Sequence, residues 1–304
     1  MEFSIRNIAA WLVSFFYILS GKIKLVKKSA KNGEIILSVY FHNPSKKLFE
    51  GCVKWFLKNG FTIISTEELN SIIKNNKQLP ASSVIFTVDD GWKENKDNIV
   101  AVAEAYKIPV TIFVTTSPVE TGDEYWWTSI QKAYDKKLTN QSVGALKLVP
   151  NEERIQELER IKPKVSNNRD ALTIEEVYTI SQSPYITIGS HTVTHPILTM
   201  CNDEKSQDEI VESKKILENW TGKPINFFAY PNGNYTEREI NALKSAGFEM
   251  AFTTKPEYVT LNSFKTPFEI PRFDVLENVS FAENIIRMTG VWFAQKETKN
   301  NKKA

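Results

Sequence analysis

Residues 83–115 read SVIFTVDDGWKENKDNIVAVAEAYKIPVTIFVT. Two apolar, β-branched runs of strand length, 83–88 and 109–115, bracket a segment near 95–106 with a helical pattern. Runs of this kind alternating with amphipathic helices predict βα units and a parallel sheet. The same rhythm extends in both directions. EIILSVY (34–40) precedes a helical stretch over 46–59, with Leu48, Phe49, Cys52, Trp55 and Phe56 at helical spacing. FTIIS (61–65) leads into TEELNSIIKNN, where Ser65 or Thr66 is placed to cap. YITIG (185–189) is followed by a helix near 203–219, and INFFA (225–229) by one near 236–246; FEMAFTT (248–254) then adds another strand. Seven or so units in one chain favour an α/β barrel over an open sheet. Residues 117–172 break the rhythm. They hold GDEYWWTSIQKAYDKK and NEERIQELERIKPK and no good strand, so they read as a helical insertion.

A chain of 304 residues suits one large domain or two modest ones. Its apolar fraction of 41% is enough for a sizeable core. The net charge, 38 − 36 = +2, with scattered basic residues, argues against a nucleic-acid partner. Cys52 and Cys201 fit no metal-ligand spacing and read as free thiols. At the N-terminus, Ile8 to Leu19 is an almost unbroken apolar run followed by Lys22, Lys24, Lys27 and Lys28. It falls short of the roughly 20 residues that a spanning helix needs. Ile18 and Ser20 before Gly21 make a poor cleavage site, so an uncleaved anchor or interfacial helix is expected. A helix packed on the domain is the alternative. The expected organisation is a signal-like or anchor segment over 1–28, one domain over 29–293 and a flexible charged tail over 294–304.

In a parallel barrel, chemistry collects at the C-terminal ends of strands. His42 follows the first strand, Asp89 and Asp90 the third, His191 and His195 follow YITIGS, and AYPNGNY (229–235) follows INFF. Adjacent carboxylates near a dry core repel each other, which a cation relieves. The chain has three histidines, and two of them lie four residues apart. At i, i+4 they share a face if the segment forms one helical turn, which Pro196 would end. Alone, such a pair reads equally well as two core or surface histidines. Joined to Asp90 it becomes an N,N,O donor set with room for water, suited to a divalent metal: zinc is expected, with Co2+ or Ni2+ as alternatives.

FTVDDGW, GSHTVTHP and FFAYPNGNY, in this order, resemble the polysaccharide deacetylase family (NodB-homology domain, carbohydrate esterase family 4). SVYFHNPS, FEGCVKWFLKNGFTIISTEEL and the late FEIPRFDV are similar to the branch that deacetylates poly-N-acetylglucosamine, so the resemblance covers about residues 34–290. It implies a distorted (β/α) barrel of about seven strands, a metal triad of Asp90, His191 and His195, and Asp89 as catalytic base. It implies a metal that acts as Lewis acid on an acetyl group and its attacking water. The family's Arg-containing motif reads FAYPNG here, with Ala229 in the arginine's place. The Asn232 amide can still serve an oxyanion, and Arg272 is the candidate replacement for the missing arginine. His42 is the candidate general acid, since no histidine follows His195. A histidine fixing the first βα turn is its other reading. Trp92, Trp126, Trp127, Tyr230 and Pro231 are candidate substrate contacts; core packing is the equal alternative for the Trp126–Trp127 pair.

The resemblance implies acetyl removal from an N-acetylated glycan of the N-acetylglucosamine type. With the N-terminal apolar run, a membrane-associated or extracytoplasmic place at a bacterial cell envelope is expected, and the cytoplasm stays open as the alternative. An O-acetyl carbohydrate esterase, an inactive glycan-binding protein on the same fold, and a membrane-associated factor in polysaccharide export stay open. Fold analogy alone does not choose among substrates.

Overall fold

The computed structural model describes residues 13–294. All seven expected runs form strands: β1 (Leu37–Phe41), β2 (Thr62–Ile64), β3 (Ser83–Val88), β4 (Val110–Val114), β5 (Ile186–Ser190), β6 (Phe227–Ala229) and β7 (Met250–Phe252). An eighth, β8 (Phe273–Asp274), is too short to show as a sequence run. Every ladder is parallel, in the order β7-β6-β5-β4-β3-β1-β8. β1 pairs with β3 from Val84 to Val88. The other flank of β3 is shared, with β2 against Ser83–Ile85 and β4 against Thr87 and Val88. The remaining seam is closed by a short segment. Ile270 bridges to Phe252, and Phe273 and Asp274 pair with Val39 and Tyr40 of β1. The result is a distorted (β/α) barrel.

β3 shows why its sequence is apolar at almost every position: both faces are covered. Val84, Phe86 and Val88 pack toward the helices, where Phe86 meets Phe49 and Phe56. Ile85 joins Phe113, Phe227 and Phe252 in the barrel interior. Ser65 caps the helix Thr66–Lys74 by accepting from the Glu68 amide at 3.0 Å. The segment expected as a helix near 95–106 starts with a wider turn, Lys96–Val100, and continues as Ala101–Tyr106.

The insertion is helical, as expected, with helices Thr116–Thr121, Trp126–Asp135, Val143–Leu146 and Asn151–Ile161. It owns a small core of Trp126, Ile130, Ala133, Leu146 and Ile161. Its end is stitched to the loop after β3: Lys93 N donates to Asp170 O at 2.9 Å, and Leu172 N to Gly91 O at 3.0 Å. Both cysteines are buried and free.

At the other end of the domain, helix Lys22–Lys31 packs Ile23 and Val26 beside Ile286 and Val291. A boundary at residue 28 therefore cuts through a helix that belongs to the domain. Residues 13–19 are helical, and Phe15, Phe16 and Leu19 stand out from the surface. The front of the expected apolar anchor (1–12) and the tail from 295 lie outside the described residues. No helix among the described residues is long and apolar enough to cross a membrane.

Candidate metal and catalytic site

β3 carries Asp89 in strand register, its amide donating to Phe41 O at 2.8 Å. The side chain shares the inward face of Thr87 and meets Arg272. Two parallel bonds join them, Nη1 to Oδ1 at 2.7 Å and Nη2 to Oδ2 at 2.9 Å. The guanidinium is fully buried. It also donates to Thr87 Oγ1 and Thr253 O and lies 4.5 Å over the Tyr40 ring. Such a fork fixes both carboxylate oxygens while each keeps a further lone pair.

Asp90 leaves the strand with φ +76, and Gly91 follows with φ +85. A Cβ at Gly91 would stand 3.2 Å from the Val114 side chain, so the turn needs glycine twice over. The Asp90 carbonyl is held by Thr115 N at 3.0 Å and Tyr125 Oη at 2.8 Å. Its carboxylate accepts from Trp92 Nε1 at 2.9 Å through Oδ2. Oδ1 is buried without a hydrogen-bond partner, and Nε2 of His191 and of His195 each lie 3.5 Å from it.

The two histidines do not share a helix. They sit on a turn in which Thr192 has φ +68 and His195 φ +54. The expected helical turn is thus corrected. Its amides find better partners in Glu209, which accepts from Val193 N and Thr194 N at 2.8 Å each, and in Thr192 Oγ1, which takes the His195 amide at 3.0 Å. Convergence comes from the turn. The rings end 4.7 Å apart.

His191 Nδ1 lies 2.7 Å from the Ala229 carbonyl, which assigns the proton to Nδ1 and leaves Nε2 a free donor lone pair. His195 is held well below the usual imidazole range by burial and by the neighbouring His191. Burial would push the Asp90 carboxyl up. The surrounding imidazoles of His191, His42 and His195 outweigh it and hold the carboxyl below its usual range. The donor atoms of Asp90, His191 and His195 lie within 4.8 Å of one another, all buried. Asp90 Oδ1, buried without a hydrogen-bond partner and faced by Nε2 of both imidazoles, completes a donor set that fits a divalent metal.

The other candidates separate. His42 is exposed at the end of β1, its ring 5.5 Å from Tyr40. Its carbonyl, not its imidazole, holds the first βα turn, accepting from Asn95 Nδ2 at 3.2 Å. Asn232 is exposed in the turn after β6 with φ +57. Trp92 bonds the Asp90 carboxylate, and Trp127 packs 4.4 Å from the His195 ring. Trp126 is buried and donates to His195 O at 2.9 Å, so it supports the turn. Tyr230 and Pro231 are buried as well, with Tyr230 Oη donating to Phe268 O, which removes both side chains from the set that substrate can touch.

Sequence reasoning passed over Glu209, Tyr125 and Lys147. Glu209 reads as an ordinary helix-surface carboxylate paired with Lys205. Tyr125 sits in an aromatic cluster of no fixed period. Lys147 has no motif around it. It comes from the insertion and donates to Asn232 Oδ1 at 2.8 Å.

A parallel barrel that gathers an N,N,O donor set and a clamped carboxylate at its strand ends has the arrangement of a metal-assisted hydrolase. The family described as polysaccharide deacetylase matches residues 76–251, and the chain belongs to it. The Bacillus subtilis (strain 168) protein YxkH is 24% identical over 211 residues, 69% of this chain. The chain spans only 58% of the length of YxkH. The poly-beta-1,6-N-acetyl-D-glucosamine N-deacetylase of Staphylococcus aureus (strain MSSA476) is 22% identical, over 83% of this chain and 77% of its own. In fold, the chain is similar to IcaB from Ammonifex degensii, with a TM-score of 0.60 at 16% identity, over 84% of this chain and 97% of that one.

Proposed function

We propose that this protein is a metal-dependent deacetylase that removes acetyl groups from an N-acetylated glycan of the N-acetylglucosamine type. The observation that carries the reading is the pairing of a buried, Arg-clamped Asp89 with the Asp90–His191–His195 donor set one residue away. The relative from Staphylococcus aureus, whose name specifies that chemistry, supports the substrate class.

A divalent metal held by Asp90, His191 and His195 would polarise the acetyl carbonyl and acidify a water; zinc suits the donor set. The residues around it divide the remaining work. Asp89 accepts the proton of the attacking water as general base. Arg272 keeps that carboxylate aimed, in the role for which the chain lacks an arginine at Ala229. The Asn232 amide donates to the oxygen that gains charge as the carbonyl carbon becomes tetrahedral. His42, free of backbone duties, gives the departing sugar nitrogen its proton as the C–N bond breaks. Acetate and a free amino sugar result. Trp92 and Trp127 remain the aromatic candidates for the sugar faces.

The N-terminal stretch supports attachment to a membrane surface. Phe15, Phe16, Leu19 and Leu25 are exposed beside the exposed Lys22, Lys24, Lys28 and Lys31, a pairing that suits an anionic leaflet.

The test is acetate release from N-acetylated and O-acetylated oligosaccharides, with and without a chelator. Chelator-sensitive release from the N-acetylated set is expected. Release only from O-acetylated sugars would replace the reading with an esterase, and no release in the metal-loaded protein would favour glycan binding alone.

A further inference from the structure

Lys147 is a half-buried lysine with an unusual set of neighbours. Among the described residues its ammonium donates one hydrogen bond, to a neutral amide, Asn232 Oδ1, at 2.8 Å. Among the described residues no carboxylate lies within ion-pair distance of it. Burial lowers its pKa, and the Asp90 carboxylate is near enough to pull the other way. An ammonium taken partly from water without a counter-ion is unfavourable unless an anion arrives. Lys147 is carried by the insertion, so it reaches the rim from outside the barrel.

Its position along the rim says which anion. In sheet order the strand ends run from Asn232 after β6, through His191 after β5, to Asp90 after β3 and His42 after β1. Asn232 and Lys147 therefore flank the donor set on one side, and His42 on the other. The reaction needs a proton donor at the nitrogen and positive charge at the carbonyl oxygen. With His42 on the nitrogen side, the Asn232 turn and its lysine fall on the oxygen side.

We propose that Lys147 is a further catalytic residue, whose ammonium donates to the acetyl oxygen as negative charge develops on it. It takes no part in bond making: the charge it meets is created by water addition and discharged when the C–N bond breaks. The Asn232 side chain holds it in place before substrate binds. The inference rests on the deacetylase reading.

The roles of the two flanking groups separate by substrate. Charge develops on the carbonyl oxygen of an amide and of an ester alike, whereas only the amide's leaving group needs a proton. In the full-length, metal-loaded protein, Lys147→Met should lower kcat about 10²-fold on both N-acetylated oligosaccharide and aryl acetate, the scale of losing one oxyanion donor. KM, metal content and Tm should stay close to wild type. Lys147→Arg, which keeps the charge, should restore a tenth or more of the loss. Titration with acetate reads the same contact without turnover: affinity should fall about tenfold or more in Lys147→Met and recover in Lys147→Arg. Unchanged kcat together with unchanged acetate affinity would overturn the proposal. So would a loss confined to KM, or failure of arginine to rescue. An inactive wild type would instead overturn the deacetylase reading, and the acetate titration would still decide on Lys147.

Discussion

Replacing Arg272 by methionine keeps an unbranched side chain and removes the guanidinium that lies over Tyr40. Four hydrogen bonds go with it: two to Asp89, one to Thr87 Oγ1 and one to the Thr253 carbonyl. Thr87 Oγ1 keeps its bond to Val39 O, so the chief loss is at Asp89, only 2% exposed and then unpaired. Stranding one member of a buried pair costs about 3–5 kcal/mol. In a domain of this size that lowers Tm by roughly 6–10 °C. Asp89→Leu alone strands the guanidinium and should cost a similar amount. The double variant, Asp89→Leu with Arg272→Met, strands neither member of the pair, and apolar replacement of a whole pair is often near neutral. It should lie within about 2 kcal/mol of wild type and show a coupling of about 3 kcal/mol or more. Urea unfolding of the four proteins measures this directly. Losses that simply add would refute a shared buried pair, and with it the reasoning that Arg272 aims the base.

The remaining expectations concern metal, roles and location. The double variant His191→Ala, His195→Ala should lose bound metal by elemental analysis, and full occupancy would remove the proposed donor set. Asp89→Asn should keep the metal and lose most turnover, while Asp90→Asn should lose both; equal metal content in the two would collapse the division of roles. His42→Ala should lower kcat on an N-acetylated sugar by about 10²-fold and harm an aryl acetate far less, whereas equal loss on both, or a large fall in Tm, would make His42 structural. Truncation to start at Ser29 should release the protein from anionic vesicles in a flotation assay, and equal flotation of both forms would count against attachment through the N-terminus. That truncation also removes part of a packed helix, so its Tm must be read beside it.

The barrel was legible because its strands are continuous apolar runs separated by helical periodicity, a pattern that survives burial on both faces. β8 was not, since two residues carry no period; only its pairing with Val39 and Tyr40 defines it. Asp90, His191 and His195 could be grouped because the sequence places each just beyond a strand. The shape of the histidine turn could not be read. Spacing of four suggests a helix, and what prevents it is Glu209, whose carboxylate arrives from a different element. The tryptophan pair shows the same limit. Trp126 and Trp127 are neighbours in sequence, yet one lies in the insertion's core and the other against His195. Helix phase within the insertion decides that, and a short aromatic run does not reveal its phase.

The Asp89–Asp90 pair works because the two residues obey different geometries. In β3, side chains alternate between the helix layer and the barrel interior, so Asp89 follows Thr87 inward to Arg272. Had the strand continued, Asp90 would follow Val88 toward the helices, into the apolar layer that holds Val84, Phe86 and Val88. The left-handed conformation at Asp90 redirects the chain at the point where the alternation would misplace it. That conformation costs about 1–2 kcal/mol for a residue with a Cβ. The backbone is held there by Thr115, by Tyr125 and, through Gly91, by the end of the insertion. Aspartate and asparagine tolerate it better than other side chains. Asparagine at 90 therefore tests the ligand without breaking the turn, whereas a β-branched residue there would confound metal loss with misfolding. The insertion thus supplies the Tyr125 bond and the Leu172 bond that keep Asp90 in its left-handed conformation.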